Sequence, residues 1–236
     1  MFERRIKNHV EFIALVLTAL LVLSGCYPHR GGPAHESPPS LRIGRVVVIG
    51  FRPALGPEAE PGPTRSPISG AVFMAEPTKT SDAALLTESL FSKLISRKNL
   101  DLVSPGQAKG VFSSIIQSDS AIGDIEAARK IGRAFTAKSV LLGHLYRWKE
   151  REGTDYAVNF PASVAFDLYL VSVESGKILW KGKYDKTQSS LSENLLDMNT
   201  FLKGKGKWMT ARALAEIGLE KMLERFPREP NLQESP

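Results

Sequence analysis

The stretch from Ala162 to Gln188, ASVAFDLYLVSVESGKILWKGKYDKTQ, restricts the fold more than any other. Apolar residues alternate with other residues on both sides of Ser175-Gly176, the pattern of a β-hairpin with a tight turn. A two-residue loop would set Leu168 and Leu170 opposite Lys183 and Lys181. A loop of Glu174, Ser175 and Gly176, with the glycine left-handed, instead opposes Phe166 to Tyr184, Leu168 to Gly182 and Leu170 to Trp180. The second register is the expected one, because a one-residue slip turns half of the apolar set to water. It also places Asp167 across from Lys183, where a cross-strand charge pair is expected. One face of this hairpin is then apolar and the other polar.

A sheet of this kind needs helices to cover it, and the preceding chain supplies them. Arg45 to Phe51 is a β-branched run stopped at Pro53, as suits a buried strand. From Asp82 to Arg97, Leu86, Leu90, Phe91, Leu94 and Ile95 recur at helical spacing, with Ser81 or Asp82 available as N-cap. "LDLVS" reads as a second strand, and Ser104-Pro105 fits N-cap and first helical position of a helix through Ile116. "GDIEAARKIGRAF" puts Ile125, Ala128, Ile131 and Phe135 on one helical face. "KSVLLGHLYRWKE" is another strand, and Lys207 to Phe226 is a helix closed by Pro227. The expected fold is α/β, a single mixed β-sheet of about five strands with amphipathic helices packed mainly on one face and a long C-terminal helix.

The front end reads as an address. Arg4, Arg5 and Lys7 precede Phe12 to Leu23, which is apolar apart from Thr18, and small Ser24 and Gly25 follow. A finished transmembrane helix takes about 20 apolar residues, more than this run provides. Cys26 is the only cysteine of the 236 residues. Leu23-Ser24-Gly25-Cys26 resembles the lipobox of bacterial lipoproteins, which implies cleavage between Gly25 and Cys26 and lipidation of Cys26, palmitate included. Buried methylenes contribute about 0.8 kcal/mol each, so three acyl chains hold a protein on a bilayer essentially permanently. Tyr27 is not the aspartate that the resemblance links to inner-membrane retention, so the expected location is the outer membrane, periplasmic face.

Residues 1–25 are therefore expected to be a signal peptide, 26–41 a flexible tether, 42–227 the domain with a Pro-rich loop at 53–80, and 228–236 a loose tail. Residues 53–70 are expected to be disordered. Loss of three cations and two acids with the signal peptide takes the net charge from +6 to +5, still mildly basic. With one cysteine no internal disulfide forms, and stability must come from the core.

In this order, the "VVVIGFRP" strand, a helix followed by "LDLVSP", then "AARKIGRAFTAKSVLLGHLYRW" and "VAFDLYLVSVESGKILWKGKYD" resemble a group of envelope lipoproteins sharing one α/β domain. The group includes the amino-terminal domain of TolB, the curli secretion lipoprotein, the activator lipoproteins of penicillin-binding proteins and the lipoprotein of Pel-type polysaccharide export. Its motifs are structural: Ile131-Gly132-Arg133 before a strand with Gly143, and a strand pair around Ser175-Gly176 ending in Ile178-Leu179-Trp180. Thr136-Ala137-Lys138 departs from the Gly-Ala-Asp-like run frequent in the group. No spare pair of long alternating strands matches the membrane-spanning hairpins of the curli member. The resemblance implies a non-enzymatic binding or assembly role, often oligomeric, and carries over no catalytic residue.

The residues agree with that. Of four histidines only His144 lies in the folded part, where a period-2 strand sets it beside Leu142 and Tyr146. One histidine without a thiol makes no Cys/His zinc site, and no G-x-S-x-G elbow exists, so neither a metal nor a cofactor is expected. Trp148 and Trp180 are expected in the core or at its rim. Glu150, Glu152 and Asp155 read as a solvated turn, within a connection that also has the look of a protruding interaction loop. Lys203, Lys205 and Lys207 alternate with glycines before Trp208, a solvated loop or a positive lip for an anionic glycan or headgroup. Nucleic acid is not an expected partner of a secreted protein.

The expectation is thus an outer-membrane-anchored periplasmic lipoprotein, a non-enzymatic interaction or assembly module with an envelope protein or glycan partner and a capacity for homo-oligomers. Polysaccharide or protein export and cell-wall synthesis control are its candidate settings. The alternatives are a peptidoglycan- or anionic-glycan-binding structural lipoprotein and a periplasmic hydrolase using His144 or carboxylates.

Overall fold

A computed structural model describes residues 43–97, 100–189 and 207–227, all of which fall within one compact unit, Pro38–Pro236. The chain runs β1 (Val46–Pro53), β2 (Gly62–Arg65), β3 (Val72–Ala75), α1 (Thr80–Ile95), β4 (Leu102–Val103), α2 (Pro105–Ser118) and α3 (Asp124–Ala134). It continues through β5 (Ser139–Lys149), β6 (Glu152–Gly153), β7 (Val158–Phe160), β8 (Ser163–Ser172), β9 (Ile178–Thr187) and α4 (Ala211–Leu223).

Five strands form the main sheet in the order β4-β1-β5-β8-β9. β1 runs parallel to β4 and β5, whereas β5, β8 and β9 are antiparallel, so the sheet is mixed as expected. The hairpin register is the expected one: Phe166 faces Tyr184, Leu168 faces Gly182, Leu170 faces Trp180 and Asp167 faces Lys183. Its origin differs in one detail. Ser172 accepts from Gly176 N–H and donates to Lys177 C=O, so the loop holds four residues, and a bulge at Leu179 restores the pairing beyond it. Gly176, at φ 70°, occupies the left-handed position.

Alternation divides the strands between two cores. Val46, Val48, Leu141, Phe166, Leu168 and Leu170 pack under Leu86 and Leu90 of α1 and Leu214 and Leu219 of α4. Their neighbours Val47, Val140, Leu142, Tyr169 and Val171 pack instead against Ala108 of α2 and Ala128 and Ile131 of α3. Helices thus cover both faces, two on each, where the sequence places them mainly on one. The polar alternation of β9 shows only that this strand is at the edge; β8, one position inward, is buried on both sides except at its last residue. Trp148 and Trp180 sit at the rim of the first core, as expected.

Helix starts follow side-chain chemistry. Ser104 Oγ accepts from Gln107 N–H while Gln107 Oε1 accepts from Ser104 N–H, a capping box ahead of Pro105. α1 begins at Thr80, before both expected caps, and Asp82 contributes by accepting from Lys79 N–H. The group motifs are steric. A Cβ on Gly132 would stand 2.2 Å from Val173 Cγ2, and one on Gly143 would stand 2.3 Å from the Asp167 carbonyl oxygen. Only glycine lets α3 and the β5–β8 pair approach this closely.

The Pro-rich segment is not the disordered loop its composition predicts. β2 and β3 pair antiparallel from Gly62–Ala75 to Arg65–Val72. Phe73 stacks on Tyr146 with centroids 3.9 Å apart and planes 6° from parallel, and Glu76 N–H donates to Tyr146 C=O. The flap is tied down further by Arg147, which donates to Met74 C=O at 2.6 Å, Ser163 Oγ at 2.7 Å and Asp185 Oδ1 at 2.6 Å. Proline leaves few donors in such a segment, and long-range contacts replace local ones.

Candidate functional site

His144 lies on β5 beneath the β2–β3 flap, on the same face as Leu142 and Tyr146, as its strand period requires. Its Nδ1 is 3.2 Å from Asp167 Oδ1, and Asp167 Oδ1 also accepts from His144 N–H. Asp167 Oδ2 accepts from Tyr146 and Tyr169 hydroxyls at 2.8 and 2.7 Å. On the other side of the ring, Nε2 lies 2.9 Å from Asp124 Oδ2, with no donor in line for a hydrogen bond to that oxygen. Arg52 Nη2 donates to Asp124 Oδ1 and closes the cluster.

Asp167, 1% exposed, does not form the expected charge pair with Lys183. Lys183 Nζ instead sits 4.3 Å from the Phe73 ring centroid and 3.4 Å from Val72 C=O. The pairing of the two residues in the ladder is right, but the flap on that face gives each a better partner. Burial pushes the Asp167 carboxyl up, yet bonds from His144, Ser66 and Tyr169 outweigh it and hold the group below its ordinary 3.8. Burial pushes Tyr169 up to about 12, and Tyr146 rises further for the same reason. Both phenols are therefore neutral donors at any physiological pH.

This cluster could hold a proton but has little to act with. His144 is buried at both nitrogens against carboxylates, and Ser66 Oγ, the nearby hydroxyl, is engaged with Tyr169. A cavity of about 260 Å³ adjoins it, lined by Arg52, Arg65, Asp124 and His144 among others. Among the described residues no group of three acids, histidines or cysteines converges as a metal site. The residues here do what a folded-in polar core does: they fix flap, α3 and sheet in one arrangement. Sequence reasoning set His144 beside Tyr146 on β5 but missed Arg52 of β1, Asp124 of α3 and the buried Asp167–Tyr169 pair of β8, which other elements bring to it.

The Lys/Gly segment is placed in part. Lys203 and Lys205 lie outside the described residues, as do Gly25 and Cys26. Lys207 Nζ reaches Asp155 Oδ2 at 3.4 Å and stands 5.4 Å from the Tyr156 ring centroid. Hydrogen bonds donated to Tyr156 and Asp155 raise the Lys207 ammonium above its ordinary value, while those accepted from Arg151 and Lys207 lower the Asp155 carboxyl. Trp208 is half-buried, with its N–H donated to Asp155 C=O. Gln188 clasps the same segment, donating to Lys207 C=O and accepting from Met209 N–H, and Glu150 accepts from Ala211 N–H. Glu150 and Asp155 thus join the β6–β7 connection to the start of α4 while Glu150, Glu152 and the Asp155 carboxylate remain solvated, as the sequence places them. The hairpin leaves Tyr156 at its tip 75% and Phe160 at its base 55% exposed.

Another exposed feature among the described residues is the outer edge of β9. Lys181 and Lys183 point to the flap side, and Trp180 and Tyr184 to the α4 side. A groove of about 700 Å³ runs between this strand and the end of α4. Among the described residues no helix is long and apolar enough to cross a membrane.

Comparison with solved structures gives likenesses at low identity. PelC from Paraburkholderia phytofirmans, solved as a dodecamer, is 14% identical over 81% of this chain and 95% of its own, with a TM-score of 0.40. The LpoB C-terminal domain from Salmonella enterica is 19% identical over 62% and 84%, with a TM-score of 0.35. Lipoprotein GNA1162 from Neisseria meningitidis is 16% identical over 67% and 96%, with a TM-score of 0.34. No curated protein matches the sequence significantly. Residues 78–185, from the approach to α1 into β9, match the family described as peptidoglycan-synthase activator LpoB, and that match fits the lipoprotein group whose pattern the sequence resembles.

Proposed function

We propose that this protein is a lipoprotein of the outer membrane, facing the periplasm, that acts without catalysis by binding a peptidoglycan synthase and raising its activity. The observation that carries the reading is the family match, which takes in α1, α2, α3 and, of the main sheet, β4, β5, β8 and most of β9. Two features of the chain support it. Cys26 stands in a lipobox-like context after a basic and apolar leader, which suits attachment through acyl chains. The histidine that a hydrolase would need is spent between Asp124 and Asp167 in the core.

The test is reconstitution. Full-length protein is added to a bifunctional peptidoglycan synthase of the same bacterium in detergent, and consumption of the lipid-linked precursor is followed. Faster glycan polymerisation, retained by the His144→Ala variant, is the expected result. No change in rate together with no co-sedimentation of the two proteins overturns the proposal. In cells, a Cys26→Ser variant is expected to lose the mass of the acyl chains and to leave the membrane fraction.

A further inference from the structure

β9 is ten residues long, and among the described residues no strand pairs with its outer side. The opposite edge of the sheet, β4, has two residues. A long open edge is a template for another strand, and charged side chains, especially lysine, are the usual means of keeping such edges from aggregating. Lys181 and Lys183 serve that end. The groove beside the edge goes beyond it, because protection against aggregation requires no cavity.

The two faces of β9 present different chemistry. On the flap side, Lys181 and Lys183 are exposed cations one pleat apart. On the α4 side, Trp180 and Met222 give the groove an apolar wall. The groove and edge together carry Lys181, Lys183, Lys221 and Arg225 against Asp185 and Glu224; Asp185 is already paired with Arg147 at 2.6 Å, and Lys183, which also contacts Val72 C=O and Phe73, stays exposed. A strand added here alternates its side chains between these surroundings.

We propose that an acidic, extended segment of a partner protein adds to β9 as a sixth strand. Its carboxylates alternate toward Lys181 and Lys183, and its apolar residues enter the groove beside Trp180 and Met222. Ladder hydrogen bonds along the open edge supply affinity, and the acidic-apolar alternation supplies selectivity. This deepens the reading that the protein works by binding a partner, and rests on it.

The test uses full-length protein and a labelled ten-residue peptide alternating glutamate and valine. Saturable binding by fluorescence anisotropy is expected, with hydrogen exchange slowed across β9. The double variant Lys181→Glu, Lys183→Glu is expected to weaken binding at least about 10-fold, and Lys181→Glu alone, which leaves Lys183 on Phe73 and Val72 C=O, to weaken it without lowering the melting temperature. Two further peptides carry N-methyl groups on every second residue, in opposite phases. One phase is expected to abolish binding and the other to preserve it, because alternate N–H groups face the neighbouring strand.

Equal binding of both methylated peptides means a patch for polyanions such as glycans or headgroups, and overturns the proposal. So do absence of saturable binding and pairing of two β9 edges seen as a concentration-dependent dimer with β9 already protected. If synthase activation succeeds while these assays fail, the function stands and this surface falls. Peptide binding without activation leaves the reverse.

Discussion

Replacing Asp167 by asparagine keeps the shape of the polar cluster and removes its charge. The carboxylate takes hydrogen bonds from Tyr146 and Tyr169 hydroxyls at 2.8 and 2.7 Å and from His144 N–H and Nδ1 at 3.2 Å each. A bond to a charged acceptor contributes about 1.5–3 kcal/mol and a neutral one about 1 kcal/mol, so the two short phenol bonds lose about 1 kcal/mol apiece. The amide nitrogen also has to face donors, while the cost of burying a charge disappears. The net expectation for Asp167→Asn is a loss of about 2 kcal/mol. Asp167→Ala, which leaves two phenols and an imidazole without their acceptor, is expected to lose about 3–5 kcal/mol. Urea unfolding at pH 7 measures both.

The pH dependence separates this account from a packing effect. Asp167 has a folded value below its ordinary 3.8, so the unfolded chain takes up its proton first as pH falls. The charge contribution is therefore complete above about pH 4 and is lost as pH drops through the folded value. The gap between wild type and Asp167→Asn is expected to narrow below about pH 4. A gap under about 0.5 kcal/mol at pH 7, or one equally wide at pH 3, refutes the assignment of a buried carboxylate to this network.

Three other substitutions probe separate links. Thr136 has φ 52°, a left-handed conformation that costs an L-residue about 1–2 kcal/mol; glycine relieves it but has a freer unfolded chain, so Thr136→Gly is expected to stabilise by about 0.5–1 kcal/mol. Calorimetry is expected to show the melting temperature up by about 2 °C, and a fall contradicts the strain. Gly143→Ala forces a Cβ to within 2.3 Å of the Asp167 carbonyl and 2.8 Å of the Phe51 ring, and a loss of about 3 kcal/mol in urea is expected. Arg147→Met removes the contacts to Met74 C=O, Ser163 and Asp185, and hydrogen exchange over residues 62–75 is expected to quicken about 10-fold or more while the main sheet is less affected.

Thr136 stands in the left-handed conformation in which glycine is the unstrained residue, and Ala137 N–H closes the turn on Gly132 C=O at 2.8 Å. A threonine is held there by the helix on one side and β5 on the other.

The sequence by itself determined the elements whose signals are local: the 3.6-residue periods of α1 and α3, the Ser104-Pro105 start of α2, and the β8–β9 register with its left-handed Gly176. It reached His144 on the correct face because a strand has period 2. Tertiary structure decided what covers each face. Ser66, Ser69 and Phe73 look like loop residues until the flap meets Tyr169 and Tyr146, some 70 to 100 positions further along the chain. The same folding-over turned Asp167 from a surface partner of Lys183 into a core acceptor, and gave Glu150 and Asp155, still solvated, partners beside the start of α4. Local pattern reports which side chains share a face; which remote segment arrives to bury that face depends on long-range closure, where chain entropy is offset by contacts that no short window contains.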